Sequence, residues 1–227
     1  MTGFSEVLKA QTAAAHEEAE QTGFVTELLA GRLDAKQVSK LLLQNLVIYR
    51  ALEAALVVND DPRLAAFSDP ALLRVHALEK DLDVHFGGDW KAQLDSGTLH
   101  VTPGADAYAA ELTSLGPVSV TYLLAHHYVR YLGDLSGGQI ISSLVRRHYG
   151  LGPEGLNFYA FEGIDKIKPY KDAYRHHLDS APFSAEEKEE IVGHAKNAFA
   201  TNQQVFVDLM QDYVRSSSES GADSKLS

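Results

Sequence analysis

A helical hydrophobic period runs along nearly the whole chain, and strand-like alternation is weak throughout. This restricts the fold to helix packed on helix, because each amphipathic helix must bury its apolar stripe against another. The clearest stretch begins at Val38, where Leu41, Leu42, Leu46, Leu52 and Leu56 keep an i, i+3/i+4 rhythm and Asp34 stands as a candidate N-cap. Asp69-Pro70 predicts a capped helix start running to about His85 and stopped by Gly87-Gly88. Pro103 and then Gly116-Pro117 punctuate two more helices, the second spanning residues 117–149 with Gly133, Gly137 and Gly138 in its middle. Ser184 with Glu187 forms a capping box for a last helix that is expected to end near Val214. With 227 residues and no internal repeat, the expectation is a single compact all-α domain of about eight helices over residues 1–215. Residues 216–227 read as a polar tail of low complexity, expected to be disordered.

Composition removes several function classes. The chain has no cysteine, which excludes disulfide scaffolds, iron–sulfur clusters, thiolate ligation and cysteine nucleophiles. Its formal charge of −11 disfavours general nucleic-acid binding, which needs a basic footprint. The first residues lack the positive start and apolar core of a secretory signal. The most apolar piece, residues 41–58, is interrupted by Gln44, Asn45, Tyr49, Arg50 and Glu53, so no run is expected to reach the roughly 18–20 residues that span a bilayer. The expectation is a cytoplasmic protein without a membrane anchor.

Two segments carry chemistry. In the first, Lys9 and His16 lie seven residues apart, two helical turns and about 10 Å along the axis, with Glu20 one turn further on the same face. A histidine beside a carboxylate can ligate a metal while the carboxylate fixes its tautomer, and the lysine can meet an acidic group on the edge of a large flat ligand. The same residues also suit a plain solvated helix face. The second segment, residues 126–139, reads HHYVRYLGDLSGGQ. Each glycine inside a helix costs about 1 kcal/mol relative to alanine, so three of them suggest a bend, a close helix crossing or a surface that a planar ligand must approach. Arg130 lies four residues before Asp134, a spacing at which the two can pair across one turn.

The string at 126–139 resembles the distal-helix signature of the haem oxygenases, and AHEEAE at 15–20 resembles their proximal-helix segment. FYAFEGI (158–164), YKDAYR (170–175) and AFATNQQVF (198–206) are similar to further segments of that family in the same order. The likeness covers about residues 5–210 and is nearest to the soluble bacterial, biliverdin-forming enzymes. It implies a haem b held non-covalently between a proximal helix and a kinked distal helix. By resemblance, His16 is the iron ligand and Glu20 its acidic partner. Lys9, Tyr128, Lys171 and Arg175 meet the propionates, and Phe199 and Asn202 lie near the haem on the last helix. On the distal side Gly133 and Gly137 are the flexible glycines, and Asp134 organises water. Arg130 and Tyr49 belong to the polar network around it, although a core tyrosine with a satisfied hydroxyl reads the same way.

The resemblance further implies the reaction. A glycine-lined helix and an aspartate acting through water supply a gentle proton, favouring attack on a porphyrin meso carbon over oxygen–oxygen cleavage. Haem is then both cofactor and substrate, opened with O2 and electrons from an external reductase or ferredoxin to biliverdin, carbon monoxide and ferrous iron, with the α-meso position expected. Lys166 and Lys168 suit a docking patch for an acidic redox partner, and a monomer is expected. Other readings remain. A di-iron bundle needs Glu-x-x-His pairs, and no histidine here has an acid three residues before it. A thiaminase-like enzyme typically uses a cysteine. His126 and His127 are the nearest rivals to His16 as ligands. A haem carrier or sensor without ring opening is the alternative function.

Overall fold

The computed structural model describes residues 2–223, with side chains as far as Ser218. Ten α-helical segments and no strand occur among the described residues. They are α1 (Phe4–Glu20), α2 (Gly23–Leu29), α3 (Ala35–Val58), α4 (Val75–Phe86), α5 (Trp90–Asp95), α6 (Pro103–Leu115), α7 (Val120–His127), α8 (Gly133–Tyr149), α9 (Ile167–Ser180) and α10 (Ala185–Asp223). A π-helical turn, Tyr128–Leu132, joins α7 and α8 into one continuous rod. The all-α expectation holds.

Local signals account for most boundaries. The Asp34 carboxylate accepts from Gln37 N at 3.1 Å and opens α3. Ser184 and Glu187 bond reciprocally, side chain to backbone, at 2.8 and 3.2 Å, completing the capping box ahead of α10. Gly87 ends α4 at φ 84°, a conformation that favours glycine. Two boundaries differ from the sequence reading. Asp69-Pro70 caps only a short 3-10 turn, Pro70–Leu72, because the backbone turns extended at Leu73 (ψ 132°) and α4 starts afresh at Val75. The last helix runs through Asp223 instead of ending near Val214. The hydroxyls of Ser216, Ser217 and Ser218 bond back to the carbonyls of Tyr213 and Val214, so the first part of the polar tail continues the helix. Residues 224–227 of that tail lie outside those described.

Helix α3 is the axis of the core and packs against α4, α6, α7 and α10. By length and apolarity alone it is the one helix among the described residues able to cross a membrane, contrary to the sequence expectation. The two charges within its residues 41–58, Arg50 and Glu53, do not offset the leucines and valines there. Those side chains are spent on the core: Val38, Leu42, Leu46, Ile48 and Leu52 are all fully buried. Helix α10 closes the other side against α1, α2, α6 and α7.

The segment between α8 and α9 is irregular but firmly held from α4. Asp81, fully buried, accepts from the amides of Asn157 and Phe158 at 2.6 and 2.8 Å. Arg74 donates to the carbonyls of Phe158 and Ala160 and lies 3.9 Å over the Phe161 ring. These bonds satisfy backbone groups that no helix satisfies. They also set Tyr159 behind α8, where its carbonyl accepts from Gln139 Nε2 at 3.0 Å.

Candidate active site

The π-turn falls where the sequence suggested a glycine-induced bend. The irregularity is the turn itself, one step upstream, while Gly133 keeps helical angles (φ −60°, ψ −52°). A π-turn widens the helix by one residue and rotates every later side chain about the axis. One consequence is that Arg130 and Asp134, spaced to pair across an α-turn, form no ion pair among the described residues. The Arg130 guanidinium instead donates to Asn202 Oδ1 at 2.6 Å and to Asn45 Oδ1 at 2.7 Å, and lies 4.8 Å over the Tyr49 ring. The Asp134 carboxylate accepts from the Tyr49 hydroxyl. Burial pushes the Asp134 carboxyl above the usual carboxylate range, and the Arg130 charge and the Tyr49 hydrogen bond recover only part of that shift. Burial, together with the Asp134 charge, holds the Tyr49 phenol well above its ordinary range.

Two of these partners, together with Glu53, come from one stripe of α3. Asn45, Tyr49 and Glu53 recur every four residues, facing Arg130, Asp134 and Tyr131 respectively. Glu53 also accepts from the amides of Arg74 and Val75, and burial raises its carboxyl. Asn45 and Glu53 were read from sequence only as breaks in an apolar run. Their four-residue spacing with Tyr49 was the available signal. Asn202, expected near a ligand, has its side-chain oxygen on Arg130 and so belongs to the same network.

Along α8 the helix surface is bare. A Cβ on Gly133 meets nothing within 4 Å, and one on Gly137 meets only the tip of Ile141 at 3.8 Å. Helix backbone is therefore exposed beside Asp134, and a flat molecule can lie directly on it. Gly138, by contrast, faces inward against Tyr159.

On α1, His16 is half exposed, with Nε2 3.3 Å from Glu20 Oε1 as the one-turn spacing predicts. The Phe199 ring of α10 meets the imidazole edge-on at 5.3 Å. One ring nitrogen is thus held by the carboxylate, leaving the other for a metal. His126 and His127 are not rivals. Both are buried, with Nδ1 2.8 Å from the hydroxyls of Tyr108 and Tyr174, and burial lowers each to about 3.

Helices α1 and α8 are held by different neighbours, α1 by α9 and α10, and α8 by α2 and the turn at 157–159. Lys168 and Arg175 of α9 and Lys9 of α1 lie within electrostatic reach of Lys171. Lys171 donates to Ser136 of α8 at 3.1 Å, and burial first, then the charges of Arg175, Lys168 and Lys9, lower its ammonium below the usual range. Arg175 pairs with Asp172 at 2.9 Å, and Tyr128 lies beside Arg175 and Thr12. Ser136, set between the two open glycines, was not singled out in the sequence. The residues present fit a haem. There is a bare backbone face, an imidazole with one free nitrogen, an aromatic edge beside it and cations suited to carboxylates.

Comparison with known proteins agrees with this geometry. A sequence model of a family described as "Heme oxygenase" matches residues 2–208. A heme oxygenase of Takifugu rubripes is 36% identical over 211 residues, covering 91% of this chain and 74% of its own. Heme oxygenase 1 of Synechocystis is 32% identical over 209 residues, covering 92% and 85%. The crystal structure of the Synechocystis heme oxygenase-1 in complex with heme superposes with a TM-score of 0.88 at 30% identity, covering 98% of this chain and 99% of that one. Sequence signature, fold and relatives converge, and the chain belongs to the haem oxygenase family.

Proposed function

We propose that this protein binds haem b as both cofactor and substrate and opens it with O2 and external electrons to biliverdin, carbon monoxide and ferrous iron. The observation that carries the reading is the bare α8 backbone at Gly133 standing beside a half-buried Asp134 whose carboxyl is raised by desolvation and held by Tyr49. A carboxylate desolvated beside a bare helix face costs stability and suits proton handling. A carrier has no use for it. When bound, the haem supplies the iron that activates O2 and the meso carbon that is oxidised.

The protein does the rest. His16 offers an imidazole nitrogen to the iron while Glu20 fixes the tautomer. Phe199 keeps the ring upright. Lys9, Lys171, Arg175 and the Tyr128 phenol receive the two propionates, charge-assisted contacts that fix the in-plane orientation. By holding the propionates, these side chains would decide which meso position is opened, the α position, giving biliverdin IXα, being the one expected. Gly133 and Gly137 let α8 lie on the macrocycle and exclude bulk water. Asp134 orients a water and exchanges a proton with it, and Arg130, Asn45, Asn202 and Tyr49 hold that carboxylate in place. Electrons arrive from a reductase or ferredoxin docking near Lys166 and Lys168 of the α9 end. The protein acts as a cytoplasmic monomer that takes no nucleic acid.

The test is direct. Hemin is titrated into the protein, reductant is added in air, and the products are separated chromatographically. A change from red-brown to green with loss of the Soret band, and one dominant biliverdin isomer, is the expected result. A complex that stays red under turnover makes the protein a carrier or sensor. His16→Ala must remove the histidine-ligated spectrum, and an intact spectrum places the ligand elsewhere.

A further inference from the structure

The N-terminus of α1 is not capped by its own sequence. Its N-cap residue is Gly3, which has no side chain to offer. The cap comes from α9 instead. Ser5 N donates to Asp179 Oδ1 at 2.7 Å and Ser5 Oγ donates to Asp179 Oδ2 at 3.1 Å, a link across 174 residues. The glycine is required for this link, because a Cβ at Gly3 would stand 2.7 Å from both carboxylate oxygens of Asp179.

This joint sits at the end of two functional stripes. On α9, Lys171, Arg175 and Asp179 recur every four residues. On α1, Ser5, Lys9, Thr12 and His16 succeed one another at helical spacing. From Ser5 to His16 is about 16 Å along the axis, and from Asp179 to Lys171 about 12 Å. Beyond the joint the two stripes stay in register, with Tyr128 between Thr12 and Arg175, and Lys9 within electrostatic reach of Lys171. The iron ligand thus belongs to one helix and most of the propionate cations to the other, and Asp179 pins the two together.

We infer that Asp179 is a positioning residue for regioselectivity: by capping α1 from α9 it fixes His16 relative to Lys171 and Arg175, and so sets which meso carbon faces Asp134. This role rests on the proposed binding and opening of haem. A haem held at its iron by α1 and at its propionates by α9 rotates in its plane when one helix slides along the other. A small slide would turn the ring by some degrees and shift the balance between meso positions near Asp134 without abolishing ligation.

Three variants test the joint. Asp179→Ala removes the cap. Gly3→Ala keeps the carboxylate but displaces it, and carries the test should Asp179→Ala fail to fold. Asp179→Asn retains an oxygen able to accept from Ser5 N. In the haem-free proteins, amide exchange at Ser5 rises in the two alanine variants and stays near wild type in Asp179→Asn. In the ferric haem complexes, the hyperfine-shifted haem methyl pattern, which reports in-plane orientation, changes in the alanine variants while the histidine-ligated absorption spectrum is kept. Under turnover the share of minor biliverdin isomers rises several-fold in those variants and is restored in Asp179→Asn. An unchanged methyl pattern and isomer ratio in variants that have lost Ser5 protection overturns the inference. Wild type that binds haem yet forms no open tetrapyrrole overturns the proposed activity instead, and the methyl pattern then still decides whether the joint orients the haem.

Discussion

The hydroxyl of Tyr49 on α3 donates to the carboxylate of Asp134 on α8, a contact 85 residues apart in sequence, with the Arg130 guanidinium 4.8 Å above the same ring. Asp134 is half-buried, and the desolvation of its carboxyl raises its pKa while the phenol lowers it. Tyr49→Phe keeps the ring and removes only the donor. The Asp134 pKa should then rise further, because the hydrogen bond that lowers it is gone. In the haem-loaded enzyme, the limb of the pH–rate profile governed by Asp134 should move to higher pH. A profile that does not move takes Asp134 out of proton handling.

Arg130 is buried and relies on neutral partners. Asn45 accepts from its Nη2 at 2.7 Å and Asn202 from its Nη1 at 2.6 Å. Asn45→Leu fits the apolar surroundings but leaves a charged donor without its acceptor, a loss of about 1–3 kcal/mol. Urea unfolding of the haem-free variant should show a lower midpoint with an unchanged slope. Stability equal to wild type means that water or Asn202 replaces the bond.

The helices were legible because their signals are local. The Asp34 cap, the Ser184–Glu187 box and the stop at Gly87 depend on neighbours in sequence and appear as read. So did the His16–Glu20 pair, which needs only a helix. The π-turn at Tyr128–Leu132 was not legible, since the choice between α and π winding is made by what His126, His127, Arg130 and Tyr131 pack against. The misplaced Arg130–Asp134 pair is a result of that turn. Asn45 and Glu53 were visible as polar residues in an apolar helix, but their meaning depends on which helix faces α3. Asp179 gave no signal at all, because the amide it caps is at the other end of the chain.

His127 makes acid stability measurable. Burial lowers it from 6.5 to about 3 in the folded protein. A base depressed on folding takes its proton first in the unfolded chain. Its contribution is therefore complete above about pH 6.5 and is lost as pH falls towards 3. Across that window it adds a slope of about 1.4 kcal/mol per pH unit. His126, lowered to the same value, adds another. His127→Phe also loses the bond to Tyr174, so it should be less stable at neutral pH yet about half as sensitive to acid. Urea melts of the haem-free protein near pH 4 and pH 6 compare the two slopes. Equal slopes imply that His127 titrates normally.

Gly133 separates stability from function. Its backbone is ordinary α-helix, and an added Cβ meets no atom within 4 Å. Alanine should therefore stabilise the haem-free protein by about 0.5–1 kcal/mol through helix propensity alone. The new methyl stands in the space where the macrocycle is proposed to rest, so haem affinity and ring opening should both fall. Gly138→Ala is the control. It gains the same propensity, its Cβ makes an ordinary 3.4 Å contact with the Tyr159 ring, and it faces away from the opening. Thermal melts and hemin titration of both variants give the comparison. If Gly133→Ala is stabilised and still binds hemin as tightly as Gly138→Ala, the bare face of α8 is not where the haem lies.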